Sequence, residues 1–193
     1  MARSLEFEPS EAVEKAMLVF WRKGFEATSI ADLELETGVG RKSLYRTFHD
    51  KHDLFLRALE AYRRILSARN LAPLMEPGAG VTSIGNFLRG LASHSETEEA
   101  RMGCLICNTA LERAADDPMA AEQVLLFFDQ ARRAFAFALS EAVASGEIPA
   151  DTDIDRQANF LVGVLQSVCV LGRAGSDHAV VSDVVETAMA QLY

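Results

Sequence analysis

Residues 29–55 read SIADLELETGVGRKSLYRTFHDKHDLF, and the reading of this stretch decides the fold. A short helical pattern runs from Thr28 or Ser29 to Gly38, and a second occupies Val39 to Phe48 beyond a Gly-Val-Gly turn. In the second, Arg41, Lys42, Tyr45 and Arg46 stand at i, i+1, i+4 and i+5 and share one helix face, while Val39, Leu44 and Phe48 fall on the inner one. Two helices about a tight turn, the second presenting cations, suit a helix-turn-helix whose second helix enters the DNA major groove. Arg41, Lys42 and Arg46 reach phosphates or guanine edges in such a docking, and Ser43 and Tyr45 bond phosphate. Thr28 and Ser29 at one helix start, and Lys51 at the next, add anion contacts. The same shape also arises as plain packing with a solvated basic face, and pattern alone leaves both readings open.

Working outward, the chain predicts helix throughout. Helix 1 opens near Pro9 and Ser10, stops at Gly24, and carries Val13, Met17, Phe20 and Trp21 on its apolar side. Asp50 with Asp53 forms a capping pair for a fourth helix that runs to about Leu71. The stretch APLMEPGAG, residues 72–80, interrupts the periodicity with two prolines and two glycines and marks a boundary. Further helices follow at about 81–94, 101–115, 118–145, 154–172 and 178–191. Polar residues 94–99, Asp117-Pro118, and Gly146 with Pro149 make the breaks. No stretch keeps a strand's period-2 alternation. The expected architecture is all-α with about nine helices: residues 1–50 as a three-helix reading head, 51–73 as a connecting helix, and 74–193 as a helical regulatory and dimerisation body.

Charge supports that division. Of the formal −9, residues 1–73 contribute +1, from 12 basic and 11 acidic side chains, so the remainder carries −10. Between Arg41 and Arg69 there are 8 basic and 3 acidic residues, a local +5 on an otherwise acidic molecule. One end faces phosphate and the other repels it. No apolar run approaches the length of a membrane span, and MARSLEFEPSE at the N-terminus has no apolar stretch before a cleavage site, so a cytoplasmic protein is expected. Three cysteines suggest no disulfide framework.

The segment LVFWRKGFEATSIADLELETGVGRKSLYRTFHDKHDLF, residues 18–55, resembles the N-terminal region of the TetR family of transcriptional regulators. Phe-x-x-x-Gly-Phe, Thr-Ser, Gly-Val, Ser-Leu-Tyr, Phe and Lys landmarks all stand in register. The resemblance implies a three-helix DNA-binding domain, a helical ligand-binding and dimerisation domain, repression as the usual mode, and operator release by a small-molecule effector. Thr28, Ser43, Tyr45 and Lys51 fall on positions that the family uses for phosphate, and Arg41, Lys42 and Arg46 on its groove-facing positions. Lys42 stands where the family usually has Gly, adding charge. Glu34 stands where it usually has Ala and is expected to alter how helix 2 packs on helix 1.

The second half is less specific, although GCLICNTALERAADDP, residues 103–118, is similar to a segment of one subgroup. Leu161, Val164, Leu165, Val168 and Leu171 make one apolar stripe, and Val181, Val184, Val185, Met189 and Leu192 another. They read either as a homodimer seam between two copies or as an ordinary internal core. The resemblance places an effector pocket among helices 4 to 8, for which Phe87, Met102, Cys104, Leu111, Phe127, Phe128 and Phe160 offer walls and Asn108 and Gln166 polar contacts. The same side chains read equally as core. Cys104 and Cys107 lie on one face near a helix start just after Arg101, which favours a redox- or electrophile-sensing thiolate, whereas their apolar neighbours favour inert packing and a raised thiol pKa. One C-x-x-C without a second pair or close His predicts no metal site, and no cofactor motif is present. His49 and His52 are expected at the phosphate face or in solvent. No nucleophile elbow, phosphate loop or paired-His helix can be quoted, so an enzyme is not expected. A DNA-binding architectural protein without a ligand switch shares the first domain and remains the rival reading.

Overall fold

The structure, a computed structural model, describes residues 7–94, 97 and 99–193. The leading residues 1–6 and part of the polar break at 94–99 lie outside the described set. Among the described residues there is no strand, and nine α-helices follow in order: α1 (Pro9–Lys23), α2 (Ile30–Thr37), α3 (Arg41–Phe48), α4 (Lys51–Leu66), α5 (Val81–His94), α6 (Leu105–Glu112), α7 (Pro118–Ser145), α8 (Ile154–Ala174) and α9 (His178–Ala190). None is long and apolar enough to cross a membrane.

Local chemistry sets the ends. The Asp50 carboxylate accepts the Asp53 N–H at 2.8 Å, and the Asp117 carboxylate accepts that of Ala120 at 3.1 Å ahead of Pro118. Each satisfies an N–H that the first helical turn leaves without a partner. Two helices depart from expectation. The helix expected at 101–115 begins only at Leu105, because a 3-10 turn over Glu99–Met102 and left-handed Gly103 precede it. The fourth helix leaves α geometry after Leu66, widening into a π turn over Ser67–Leu71 and tightening again over Ala72–Met75, where Pro73 has no N–H to continue the ladder.

α1 lies across α4, joined by the rings of Phe20, Phe25 and Phe55, with centroids 5.0 Å apart for Phe20–Phe55 and 4.9 Å for Phe25–Phe55. α4 continues onto α7, where Arg63 Nε donates to Gln123 at 3.3 Å and Ser67 Oγ to Gln130 at 2.9 Å. A single apolar core therefore runs from Ala12 to Leu192, with α4 shared by the reading head and the body. In the body, α7 and α8 pack together and α5 and α9 complete the layer around Ile84, Leu88, Phe135, Leu139, Leu161 and Leu165.

The two apolar stripes of α8 and α9 need correction. Leu161, Leu165, Val168, Val181, Val185, Met189 and Leu192 are buried within the single chain and belong to its own core. Val164 is buried too, at the floor of a shallow groove on the outward side, and of the expected seam residues only it and half-buried Val184 line that groove, with Phe160, Gly163, Ser167, Val180, Asp183, Thr187 and Ala188. A helix carrying apolar residues on more than one face presents an outer stripe that sequence does not separate from the inner one.

This register has a measurable consequence. Leu165→Ala is expected to lower the unfolding free energy by about 2–5 kcal/mol, and Val180→Ala by less than about 0.5 kcal/mol. Urea denaturation followed by helical circular dichroism measures both, and equal losses would contradict the inner and outer assignment.

Candidate functional site

The recognition face is built from α2 and α3. Ser29 caps α2 through a reciprocal box, its Oγ accepting the Asp32 N–H at 3.1 Å while the Asp32 carboxylate accepts the Ser29 N–H at 2.9 Å. Lys23 pairs with Asp32 at 2.5 Å and, with Ser29, holds that carboxyl well below its ordinary range. Gly38 then turns the chain at φ 71°, a conformation that a Cβ would strain, and its N–H donates to Glu34 O at 3.0 Å. Buried Thr37 supports the corner, donating to Leu33 O at 2.6 Å and accepting the Val39 N–H at 3.1 Å.

α3 seats Leu44 and Phe48 in the core and turns Arg41, Lys42 and Arg46 to solvent. Tyr45 is half-buried, with the Arg41 guanidinium 5.4 Å from its ring centre. Ser43 is half-buried on the same helix. Among the described residues Arg41, Lys42 and Arg46 form no ion pair, whereas Arg89, Arg113, Arg132, Arg133 and Arg156 of the body all pair with carboxylates. Glu34 departs from expectation. Its carboxylate meets α3, accepting the Arg41 N–H at 2.5 Å, and so caps the recognition helix in place of Gly40, which has no side chain to do so.

Three other expected contacts are committed inside the protein. Thr28 is 1% exposed and its hydroxyl donates to Gly24 O at 2.6 Å. Lys51 Nζ donates to Phe25 O at 2.9 Å and Thr28 O at 3.0 Å, 4.2 Å from the Phe25 ring centre, so it clamps the α1–α2 loop to α4. His52 is neither at the phosphate face nor in open solvent: its Nε2 lies 2.8 Å from the Asp117 carboxylate. His49 is exposed, 3.4 Å from Asp53.

The His52–Asp117 pair, between α4 and the start of α7, belongs to a polar joint between head and body. The Glu112 carboxylate at the end of α6 accepts the backbone N–H groups of Phe25 at 3.2 Å and Glu26 at 3.0 Å. Arg113 lies over the Phe25 ring at 4.6 Å and bridges Glu26 and Asp117. Burial pushes the Asp117 carboxyl up, but the Ala120 N–H, His52 and Arg113 outweigh it and the net shift is down. Nearby, Trp21 Nε1 of α1 donates to Gly103 O at 2.8 Å, just before α6, and the Trp21 ring meets Tyr62 of α4 edge-on at 5.1 Å. Sequence reading did not find this joint, because Trp21 meets Gly103 and the loop after α1 meets Glu112 and Arg113 only in the tertiary fold. The Asp117 cap was the one visible sign.

Cys104 and Cys107 are buried at the start of α6, and α8 brings Cys169 beside them, so all three sulfurs lie within 4.8 Å of one another as free thiols. Hydrogen bonds from Cys107 and then Cys169 hold the Cys104 thiol well below its ordinary value despite burial, aided by the backbone N–H groups of Cys107 and Ile106. Cys107 and Cys169 are pushed up by Cys104 first of all, and burial raises the Tyr62 phenol beside it. Burial raises all three thiols, and for Cys104 alone the hydrogen bonds it receives reverse that shift.

Residues 12–58 match the model described as bacterial regulatory proteins, tetR family, and residues 80–188, more than half the chain, match the tetracyclin repressor-like C-terminal domain. The chain belongs to the TetR family. It is 31% identical over its full length to the uncharacterised HTH-type transcriptional regulator YezE of Bacillus subtilis, also matched over 100% of its length. It is 29% identical to the HTH-type transcriptional repressor ComR of Escherichia coli, with 88% of this chain and 81% of ComR covered. Among solved structures, a cysteine mutant of the TetR family regulator CifR complexed with 26-base-pair double-strand operator DNA superposes with a TM-score of 0.85 at 26% identity, each chain covered completely. This TetR-family protein is a DNA-binding transcriptional regulator and belongs to a non-enzymatic class.

The expected effector residues do not all converge. Leu111 is 79% and Phe160 45% exposed, both turned outward, so neither is a wall of an internal pocket. Phe127 is buried and Phe128 half-buried on α7, Phe87 stacks edge-on against Phe135 at 5.5 Å, and Gln166 is half-buried on α8. Met102, Cys104 and Asn108 do cluster: the Asn108 amide donates to Met102 O at 2.8 Å, and Arg173 reaches the same carbonyl at 2.7 Å.

The joint can be tested through Asp117. Asp117→Ala removes a helix cap and a buried partner of Arg113 and His52, with an expected loss of about 2 kcal/mol. Because the folded carboxyl titrates below its ordinary value of about 3.9, its contribution is complete above that pH and disappears as pH falls through the folded-state value. Denaturant titrations should therefore show native protein and Asp117→Asn separating at pH 6 and converging below about pH 4. A gap that widens in acid would contradict this assignment.

Proposed function

We propose that this TetR-family regulator is a cytoplasmic homodimeric repressor that binds a near-palindromic operator and releases it on binding an effector. The observation that carries DNA recognition is the set of three cations clustered on one face of α3 with no carboxylate partner among the described residues, on a molecule whose body pairs most of its arginines. Unpaired cations are those that a phosphate or guanine edge can take without first breaking a salt bridge. Arg41, Lys42 and Arg46 read the groove, with Tyr45, Ser43 and Ser29 on phosphate; Thr28 and Lys51 act through the backbone they hold. The ComR name and the operator-bound CifR structure support the repressor reading.

One helix-turn-helix reads a half-site, and two-fold symmetry supplies the second. The outer groove of α8 and α9, apolar at Phe160, Val164, Val180 and Val184 with Asp183 its one charged lining residue, is the face for a second copy. Phe160→Asp or Val184→Asp places an unpaired carboxylate there and is expected to give folded monomers by sedimentation. Persistence of dimers in both variants would remove this face from consideration.

Operator binding is expected to weaken steeply with salt, and Arg46→Ala to cost about 1–3 kcal/mol if its guanidinium reads a guanine. Titration of a selected operator and a random duplex at several salt concentrations measures both. Equal affinity for the two duplexes would replace a specific regulator by an architectural protein. A second reading of the switch, thiol chemistry at Cys104 and Cys107, is favoured by the placement of Cys104 at the start of α6. Release of operator by a mild electrophile from the native protein, but not from Cys104→Ser, is its signature.

A further inference from the structure

Cys104, the N-cap residue of α6, and Cys107 in its first turn stand three positions apart, and Cys169 arrives from α8, 65 positions after Cys104. Their sulfurs lie within 4.8 Å of one another, and no His, Asp or Glu joins the group among the described residues. Three sulfurs bound at about 2.3 Å to a common centre stand roughly 4 Å apart, so these need to close little or not at all to share one ion. We propose that Cys104, Cys107 and Cys169 form a three-coordinate site for a thiophilic ion, and that this ion is the effector of the regulator. The second half of that statement rests on the effector-released reading above; the site itself does not.

The donor set selects the ion. Structural zinc takes four ligands, and hard cations take oxygen; three sulfurs with no oxygen or imidazole suit a soft centre satisfied by three. Burial then favours a centre whose charge cancels three thiolates, because a net charge left in a buried site is costly. Trivalent arsenic meets both conditions. Arsenite, As(OH)3, condenses with three thiols to give As(S-Cys)3 and three waters: three As–O bonds are replaced by three As–S bonds, each thiol proton leaves with a hydroxide, and no electron is transferred. Monovalent copper is the other soft three-coordinate source. It displaces three protons without change of oxidation state and leaves the site doubly negative.

The site adjoins the reading head. Gly103, one residue before Cys104, accepts the Trp21 indole N–H, and Tyr62 of α4 lies between the Trp21 ring and Cys104. Drawing α6 and α8 together through sulfur moves the carbonyl that α1 holds. A Cβ at Gly103 would sit 2.9 Å from Asn108 Oδ1 and 3.0 Å from the Arg173 side chain, so α6 and α8 side chains both close on this residue.

The test uses the reduced full-length protein under anaerobic conditions, with arsenite, copper(I) and zinc(II) in separate titrations. Thiol counting, the emission of Trp21, the one tryptophan in the chain, and operator binding are the readouts. One equivalent of arsenite is expected to protect three thiols per chain and change Trp21 emission, with affinity falling at least about 100-fold in Cys169→Ser. Cys169→Ala and far-ultraviolet dichroism guard against misfolding, and the thiol count in the native protein needs no variant. If copper(I) protects three thiols and arsenite does not, the three-coordinate site stands with copper as its ion. Protection of only two thiols, unchanged affinity in both Cys169 variants, or zinc binding as tight as either soft ion would overturn it. Loading of three thiols without operator release keeps the site and overturns its role as effector centre. Failure of the unloaded protein to bind any selected operator would instead defeat the repressor reading.

Discussion

An eight-residue recognition helix cannot hold its own direction, since helices this short are marginal without tertiary support. Its aim depends on burying Leu44 and Phe48 against the core of the head, where α1 and α4 are locked by Phe20, Phe25 and Phe55. Gly38 sets the angle of entry, and the Glu34 carboxylate supplies the cap that Gly40 lacks. Once these are satisfied, Arg41, Lys42 and Arg46 have no inward alternative. The exposed cationic face follows from the apolar one opposite it.

The same constraint ties the face to the body. α4 belongs to both cores, so the head cannot turn without disturbing the Arg63–Gln123 and Ser67–Gln130 contacts on α7. At the other end of α6, Glu112 holds the loop after α1 by its backbone, and Arg113 with Asp117 and His52 fills the gap beside Phe25. α6 thus touches the head at both of its ends, Gly103–Trp21 and Glu112–Phe25. A short helix gripped at two points transmits displacement well, because packed side chains have discrete arrangements and yield little between them.

Charge is distributed to the same purpose. The body carries the chain's excess acid and pairs most of its arginines with carboxylates, so its net field repels a polyanion. The local +5 beginning at Arg41 is left as the attractive end, a dipolar arrangement that orients encounter as well as holding the complex.

Periodicity, turn residues and caps by themselves determined the all-helical class, most helix positions, the helix-turn-helix and its cationic face, because each depends on residues within a few positions of one another. Asp50, Asp117, Gly38 and Gly146 acted where local backbone chemistry requires them. What depended on distant partners was not legible. Phe160 and Leu161 are adjacent in sequence, and only the seating of α8 on α7 decides that Leu161 faces the core and Phe160 the outer groove. Lys51 and Thr28 are as polar as Ser29, but both turn inward and donate to carbonyls of the α1–α2 loop, whereas Ser29 stays exposed. A single C-x-x-C shows two sulfurs; the third, Cys169, is set beside them by the crossing of α6 and α8, a contact that no local spacing encodes.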